Sequence, residues 1–221
     1  SAGTETAGVA FGGSPPAGGA NNDTQEYDGT DWSEGNNLNT GRYSIGGSGT
    51  QTAALAAGGS PPGNTGSNLS EEYNGTNWTE GNNLGTARYK TTQFGVQTAA
   101  VAAGGDTGPA NVNNVEHYDG TSWTAATVYP STLTFAASAG TQTDGLVFLG
   151  DLGPGYGATT NTYDGTSWAA SAALANAGGN TEGDGTGALA LAASGGPSSG
   201  RTDGSEEFTG ATTVVKNITS S

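Results

Sequence analysis

Apolar residues in this chain come in short runs, none with the length of a helix. Five runs of mostly small apolar residues end on glycine or next to it: GVAFGG at 8–13, ALAAGG at 54–59, AVAAGG at 100–105, LVFLGD at 146–151 and LAASGG at 191–196. In the fourth, Gly150-Asp151 stands for the glycine pair of the others. A short continuous apolar run bounded by glycine predicts a strand buried on both faces. Between the runs lie β-prone arms around Asp-Gly or Asn-Gly. That dipeptide signals a tight hairpin, because both residues tolerate positive φ. A two-residue turn at Asp28-Gly29 would set Tyr27 opposite Thr30 and Gln25 opposite Trp32. Alternation then puts Tyr27 and Trp32 on one face of the hairpin, as an apolar contact for a neighbouring layer. No segment shows a capped helical period, so almost no helix is expected.

The arms repeat. An aromatic residue two positions before a glycine recurs at Tyr27, Tyr73, Tyr118, Tyr163 and Phe208, at spacings of 46, 45, 45 and 45. Trp32, Trp78, Trp123 and Trp168 each follow five residues later, and Thr213 takes that place in the last copy. Residues 24–59 match residues 70–105 at 22 of 36 positions. A period near 45 with Gly and aromatic landmarks predicts an all-β, five-bladed β-propeller with four strands per blade. The strands are expected at about 42–49, 52–57, 24–27 (or 70–73) and 30–34. Ala and Gly in the apolar runs suit strands crowded round a narrow axis. Before Ser1 the unit has no full first strand. Only SAGTET aligns, with GSGTQT at 47–52, so the innermost strand of blade one is expected to be short. Either upstream residues complete it or the ring closes imperfectly. The chain reads as a single domain over 1–221. It begins with Ser and has no Met, which predicts a processed product or a piece of a longer polypeptide, and the ending EEFTGATTVVKNITSS, which completes the last blade and stops, predicts the C-terminal part.

Composition changes this picture little. Forty-one glycines and 32% hydrophobic residues suggest low complexity. Four Trp and eight Tyr, mostly at regular places, argue for an ordered core instead. The net charge of −15 matters more: with five basic residues no basic patch can form, so nucleic acid and anionic membrane surfaces are not expected partners. Without cysteine there is no disulfide, thiolate nucleophile or Cys-ligated zinc. No apolar run approaches 18 residues, so no membrane-spanning helix is expected.

The order of a glycine pair, then Tyr-Asp, then Trp is similar to Kelch repeats, with Asp-Gly-Thr where Kelch often has Asp-Pro. EEYNGTNWTEGNNLGTARY, GTQTAALAAGG and the ending EEFTGATTVVKNITSS look like the Kelch-like repeats of tail-fibre and other appendage proteins of marine bacteriophages. The likeness spans essentially the whole chain. It implies a viral protein at the virion surface or outside the cell, with a role in host recognition. A host-surface glycan or protein receptor and other virion proteins are the implied partners.

No catalytic constellation is visible, so a non-enzymatic role is expected, without cofactor or metal. His117 occupies the place of Glu26, Glu72, Thr162 and Glu207 and reads as a strand surface position. Arg42, Arg88 and Arg201 do not make the arginine cluster of a sialidase-like site. The Asn-x-Ser/Thr triplets at Asn22, Asn68, Asn74, Asn77 and Asn217 are expected by chance in so Asn- and Thr-rich a chain. The Tyr and Trp of the repeat read as blade core rather than sugar platforms. The better binding candidates are the loops GNNLNTGRY and GNNLGTARY. Asn36, Asn37, Arg42, Asn82, Asn83 and Arg88 offer directional donors and acceptors, and Tyr43, Tyr89 and Tyr129 flat rings, as carbohydrate binding requires. Turn chemistry alone would also explain the Asn and Gly. The leading expectation is an appendage module binding a receptor glycan. The alternatives are a virion decoration without a ligand and a free five-bladed lectin.

Overall fold

The computed structural model describes residues 1–16, 18–63, 65–152, 155–175, 177–179, 182–193, 205–210 and 212–216, with backbone only at 182 and 212–216. Gly195-Gly196, Arg201 and Asn217, and the side chain of Thr213, lie outside the described residues. Five sheets, each of four consecutive antiparallel strands, form a five-bladed β-propeller. Blade one comprises β1 (Ala2–Thr4), β2 (Ala7–Phe11), β3 (Thr24–Tyr27) and β4 (Trp32–Gly35). Blade two comprises β5 (Gly46–Thr50), β6 (Ala53–Ala57), β7 (Ser70–Tyr73) and β8 (Trp78–Glu80). Blade three comprises β9 (Thr92–Val96), β10 (Ala99–Ala103), β11 (Val115–Tyr118) and β12 (Trp123–Ala125). Blade four comprises β13 (Ala137–Thr141), β14 (Asp144–Phe148), β15 (Thr160–Tyr163) and β16 (Trp168–Ser171). Blade five comprises β17 (Glu182–Gly185), β18 (Leu189–Ala193), β19 (Ser205–Thr209) and β20 (Thr212–Lys216). No helix occurs among the described residues.

Several expected boundaries move. The innermost strand of blade two starts at Gly46, not near 42, because Tyr43 is drawn into a bridge with Ser60. β1 is short as expected, three residues against five in β5. The outer hairpins of blades one to four have four-residue turns, so Tyr27 pairs with Trp32 and Gln25 with Glu34, while in blade five Thr209 pairs with Thr212. The reason is the Asp28 carboxylate, which accepts from the N–H groups of Thr30 (2.8 Å) and Asp31 (2.9 Å). This side-chain turn displaces the two-residue geometry. Asn74, Asp119 and Asp164 do the same in blades two to four. Tyr27 and Trp32 still share a face, 5.2 Å apart.

Register also corrects the fourth landmark. Gly145 pairs with Tyr163 as Ala100 pairs with Tyr118, so Leu149-Gly150, not Gly150-Asp151, takes the place of Gly104-Gly105. Leu149 is held at φ 62, beside 64 at Gly104. A second glycine series emerges at Gly3, Gly49, Gly95, Gly140 and Gly185, all at positive φ in the innermost strands. A Cβ at Gly95 would lie 2.3 Å from the Ala99 carbonyl oxygen, and the other four positions repeat that clash. Only glycine lets the innermost hairpin close so tightly.

The core lies between blades. Val9 is covered by Ala54, Ala56, Tyr73 and Trp78 of the next blade. Leu55 is covered by Ala100, Tyr118 and Trp123, Val101 by Val147, Tyr163 and Trp168, and Leu146 by Ala190 and Phe208. The repeated Tyr and Trp are therefore blade core in blades two to four. Polar bonds tie the same joints. The Tyr73 hydroxyl bonds Glu26, Tyr118 bonds Glu72, and Tyr163 meets His117 Nε2 at 2.9 Å. Burial, then the Glu26 bond, pushes the Tyr73 pKa up to about 12. His117 is thus half-buried and part of a blade joint, rather than a plain surface position.

Candidate functional site

Strand order puts all long connections on one face. The chain runs down the innermost strand, back up the second, and crosses to the third through a long loop. Each linker to the next blade leaves from the same end. The opposite face carries only the short hairpin turns, such as 51–52 and 74–77. On the loop face, each linker travels from the outermost strand of one blade to the innermost strand of the next, that is, from rim to axis.

The predicted residues are spread along that radial path. Asn36, Asn37, Asn82 and Asn83 are exposed at the rim. Asn36 Nδ2 donates to Asn77 Oδ1 at 3.0 Å and Asn82 Nδ2 to the Thr121 carbonyl at 2.8 Å, each on the next blade's hairpin turn. Asn37 Oδ1 accepts from the Thr24 N–H.

Arg42 and Arg88 face no ligand: both are fully buried. Arg88 donates to the carbonyls of Gly104 (3.0 Å), Asn114 (2.7 Å) and Ala102 (3.3 Å) and pairs with Glu116 at 3.0 Å. Arg42 likewise binds the carbonyls of Gly58 and Leu69 and pairs with Glu71 at 2.9 Å. The Gly58 and Gly104 carbonyls are released where the chain turns away from the second strand, and the guanidinium satisfies them, while those of Leu69 and Asn114 also accept from the Gly58 and Gly104 N–H groups. The second oxygen of each acid accepts a linker N–H, Asn39 for Glu71 (2.7 Å) and Gly85 for Glu116.

The next linker breaks this pattern as a unit. Leu133 stands in the arginine place, Pro130 offers no N–H, and the acid position is Asn161. Tyr129 fills the space, and its hydroxyl accepts from Asn161 Nδ2 at 2.7 Å. Tyr129 is therefore core and does not belong with Tyr43 and Tyr89: it occupies the place of Leu38 and Leu84. Burial, partly offset by the Asn161 bond, holds its pKa at about 12.

The axial end of the linkers is where functional groups converge. A cavity of about 670 Å³ runs along the axis, walled by the innermost strands of all five blades. Its mouth on the loop face is formed by Ser44, Lys90 and Phe135, at matching repeat positions and all at positive φ (51, 58 and 53). They are joined head to tail: the Lys90 N–H donates to the Ser44 carbonyl (2.9 Å) and the Phe135 N–H to that of Lys90 (3.4 Å). Non-glycine residues in this region store strain, which the surrounding ring must hold.

Lys90 Nζ lies 3.1 Å from Asp106 Oδ2, 4.7 Å from the centre of the Tyr89 ring and 5.1 Å from that of Phe135. Burial works against the ammonium, but Asp106 and Tyr89 more than offset it, so its pKa is raised. Asp106 is driven the opposite way, below the usual carboxylate range, by the Gly108 N–H and Lys90 against the effect of burial. Tyr89 is buried with Lys90 over its ring, so it offers no free platform, and burial, then Asp106, raises its pKa. Tyr43 is half-buried.

Deeper in the cavity, Gln93 Nε2 bonds Ser48 Oγ (2.8 Å) and the Leu55 carbonyl (3.2 Å), while Gln93 Oε1 and Thr91 Oγ1 have no protein partner. The set can hold hydroxyl or amide groups and places one ammonium at the entrance. Sequence reasoning missed Ser44, Lys90, Thr91, Gln93 and Phe135. The shared repeat position of Ser44, Lys90 and Phe135 was readable, but none of the three is a glycine or asparagine that would flag positive φ. The chain matches no protein-family model and no curated protein.

Proposed function

We propose that this propeller is a non-enzymatic binding module that presents its loop face to an extended, polyhydroxylated ligand, a host-surface glycan. The observation that carries the reading is the sharing of one face. The long loops and the Lys90 mouth both open there, while the other face has only short turns. Variable loops on a rigid frame are a common way to build a recognition surface. Amides and a partly offset ammonium suit sugar hydroxyls, which need directional partners more than charge. Repetition around the axis adds avidity from weak subsites. The repeat likeness to phage appendage proteins supports the setting, a virion surface with other virion proteins around it.

The test is a glycan-array and whole-cell binding screen of the purified chain. The variant Asn82→Ala, Asn83→Ala, Lys90→Ala is expected to lose binding at least about tenfold, the equivalent of about one charge-assisted hydrogen bond. Thr76→Ala with Thr121→Ala on the turn face is expected to retain it. Binding lost only in the turn-face variant would move the site. Absence of binding to every glycan and cell would leave the ligand-free decoration as the better reading.

A further inference from the structure

Every basic side chain that the structure describes faces a carboxylate. Arg42 pairs with Glu71 and Arg88 with Glu116 inside the linkers, and Lys90 pairs with Asp106 at the axial mouth. The first two pairs are closed to a ligand, because both arginine side chains are 0% exposed. Lys90 and Asp106 keep 26% and 13% of their side chains open to solvent. They are the pair that a ligand at the mouth would meet.

Asp106 is fixed in place from several sides. Its backbone exchanges two hydrogen bonds with Tyr89 (3.0 and 2.8 Å) and bridges Asn111. Its Oδ1 accepts from the Gly108 N–H at 2.7 Å, and its Oδ2 meets Lys90. In the other two linkers, Tyr43 bridges Ser60 beside Ser44, and Thr134 bridges Asp151 beside Phe135. The three mouth residues and these bridged partners thus bring together one basic side chain and two acids. A third acid, Asp184, lines the cavity wall, and the chain as a whole carries a net charge of −15.

We propose that Asp106 is the specificity residue of the loop-face site, which, resting on the glycan reading above, takes uncharged sugars and turns away those bearing carboxylate or sulfate. The intact pair sets a donor beside an acceptor. The ammonium has protons beyond the one given to Asp106, and the carboxylate has lone pairs beyond those taken by Gly108 and Lys90. A hydroxyl both donates and accepts, so neighbouring sugar hydroxyls satisfy both groups without breaking the pair. A ligand anion only accepts. To reach the ammonium it must draw Lys90 away from Asp106, which leaves a part-buried carboxylate unpaired beside a second negative charge. Like charges so placed cost affinity, and a site built this way selects by penalising the wrong ligand. Arg42 and Arg88 cannot stand in for Lys90, because each is spent on its own carboxylate and carbonyls.

The test compares the wild-type chain, Asp106→Asn, and Asp106→Asn combined with Lys90→Gln. One readout is a glycan array that sets neutral sugars beside their carboxylated or sulfated counterparts. The other is the NMR signal of the Lys90 side chain during titration with sodium glucuronate, against sodium chloride at equal ionic strength. The wild-type chain is expected to bind neutral members and to show no saturable Lys90 shift with glucuronate. Asp106→Asn keeps an acceptor for Gly108 but frees the ammonium. Its ratio of acidic to neutral binding is expected to rise about tenfold, the equivalent of one charge-assisted hydrogen bond, with a saturable Lys90 shift. The double variant is expected to lose the gain in ratio. Wild-type binding of acidic glycans as tight as of their neutral counterparts would overturn the inference. So would a saturable glucuronate shift at wild-type Lys90, or an Asp106→Asn protein that gains neither effect. If no glycan binds any of the three proteins, the receptor reading fails, and the Lys90 titration alone decides whether Asp106 screens the mouth against anions.

Discussion

Arg88 and its acid show how one buried side chain can read as a binding residue and be structural. Removing the guanidinium leaves Glu116 buried and the Gly104 carbonyl without its donor, while the Asn114 carbonyl keeps the Gly104 N–H. Arg88→Leu is therefore expected to cost on the order of 3–5 kcal/mol. Arg88→Leu combined with Glu116→Asn copies the Leu133–Asn161 arrangement and is expected to recover part of that loss, as measured by denaturant unfolding. His117 gives a second residue-scale expectation. Burial holds its imidazole below the ordinary 6.5, so just under that pH the unfolded chain binds more protons than the folded one. Stability from this group is complete above about 6.5 and falls as pH drops toward the depressed folded value. His117→Gln is expected to flatten that part of a Tm-against-pH profile.

At the scale of elements, the innermost hairpins set the radius of the ring. Their glycines at 3, 49, 95, 140 and 185 hold positive φ with no room for a Cβ. Gly95→Ala is expected to cost at least about 2 kcal/mol in chemical denaturation, through backbone strain and the clash with the Ala99 carbonyl. The outer hairpins depend on side-chain chemistry instead. One Asp or Asn at the first turn position in blades one to four organises four residues, which is why an Asp-Gly signal produced a longer turn than the dipeptide alone suggests.

At the scale of the molecule, the joints grade from strong to weak. Blades two and three are bound on both sides by buried aromatics and by glutamine latches (Gln51, Gln97 and Gln142, each donating to the preceding blade), and blade four has its latch toward blade three only. Blade five has Gly187 in the latch place, and its Leu189 and Leu191 remain exposed. Amide hydrogen exchange is expected to be slowest in β6, β10 and β14 and faster in β2 and β18, because protection follows local opening free energy. Uniform protection round the ring would contradict the graded joints.

The sequence alone determined the repeat, the five blades, the lack of helix among the described residues and the aromatic faces between blades. Each of these follows from local spacing, which period and turn chemistry report directly. It did not determine which polar residues reach solvent. Arg42, Arg88 and Asn82 share loops and look alike as letters, yet two are core and one is rim. That difference arises because a linker crosses from rim to axis and sinks in its middle, where freed carbonyls need a donor. Nor did it reveal the ring of Ser44, Lys90 and Phe135, residues of unlike chemistry made equivalent only by their place at the axis. Tertiary structure decided both, since burial and convergence depend on where blades meet rather than on which residues are neighbours in the chain.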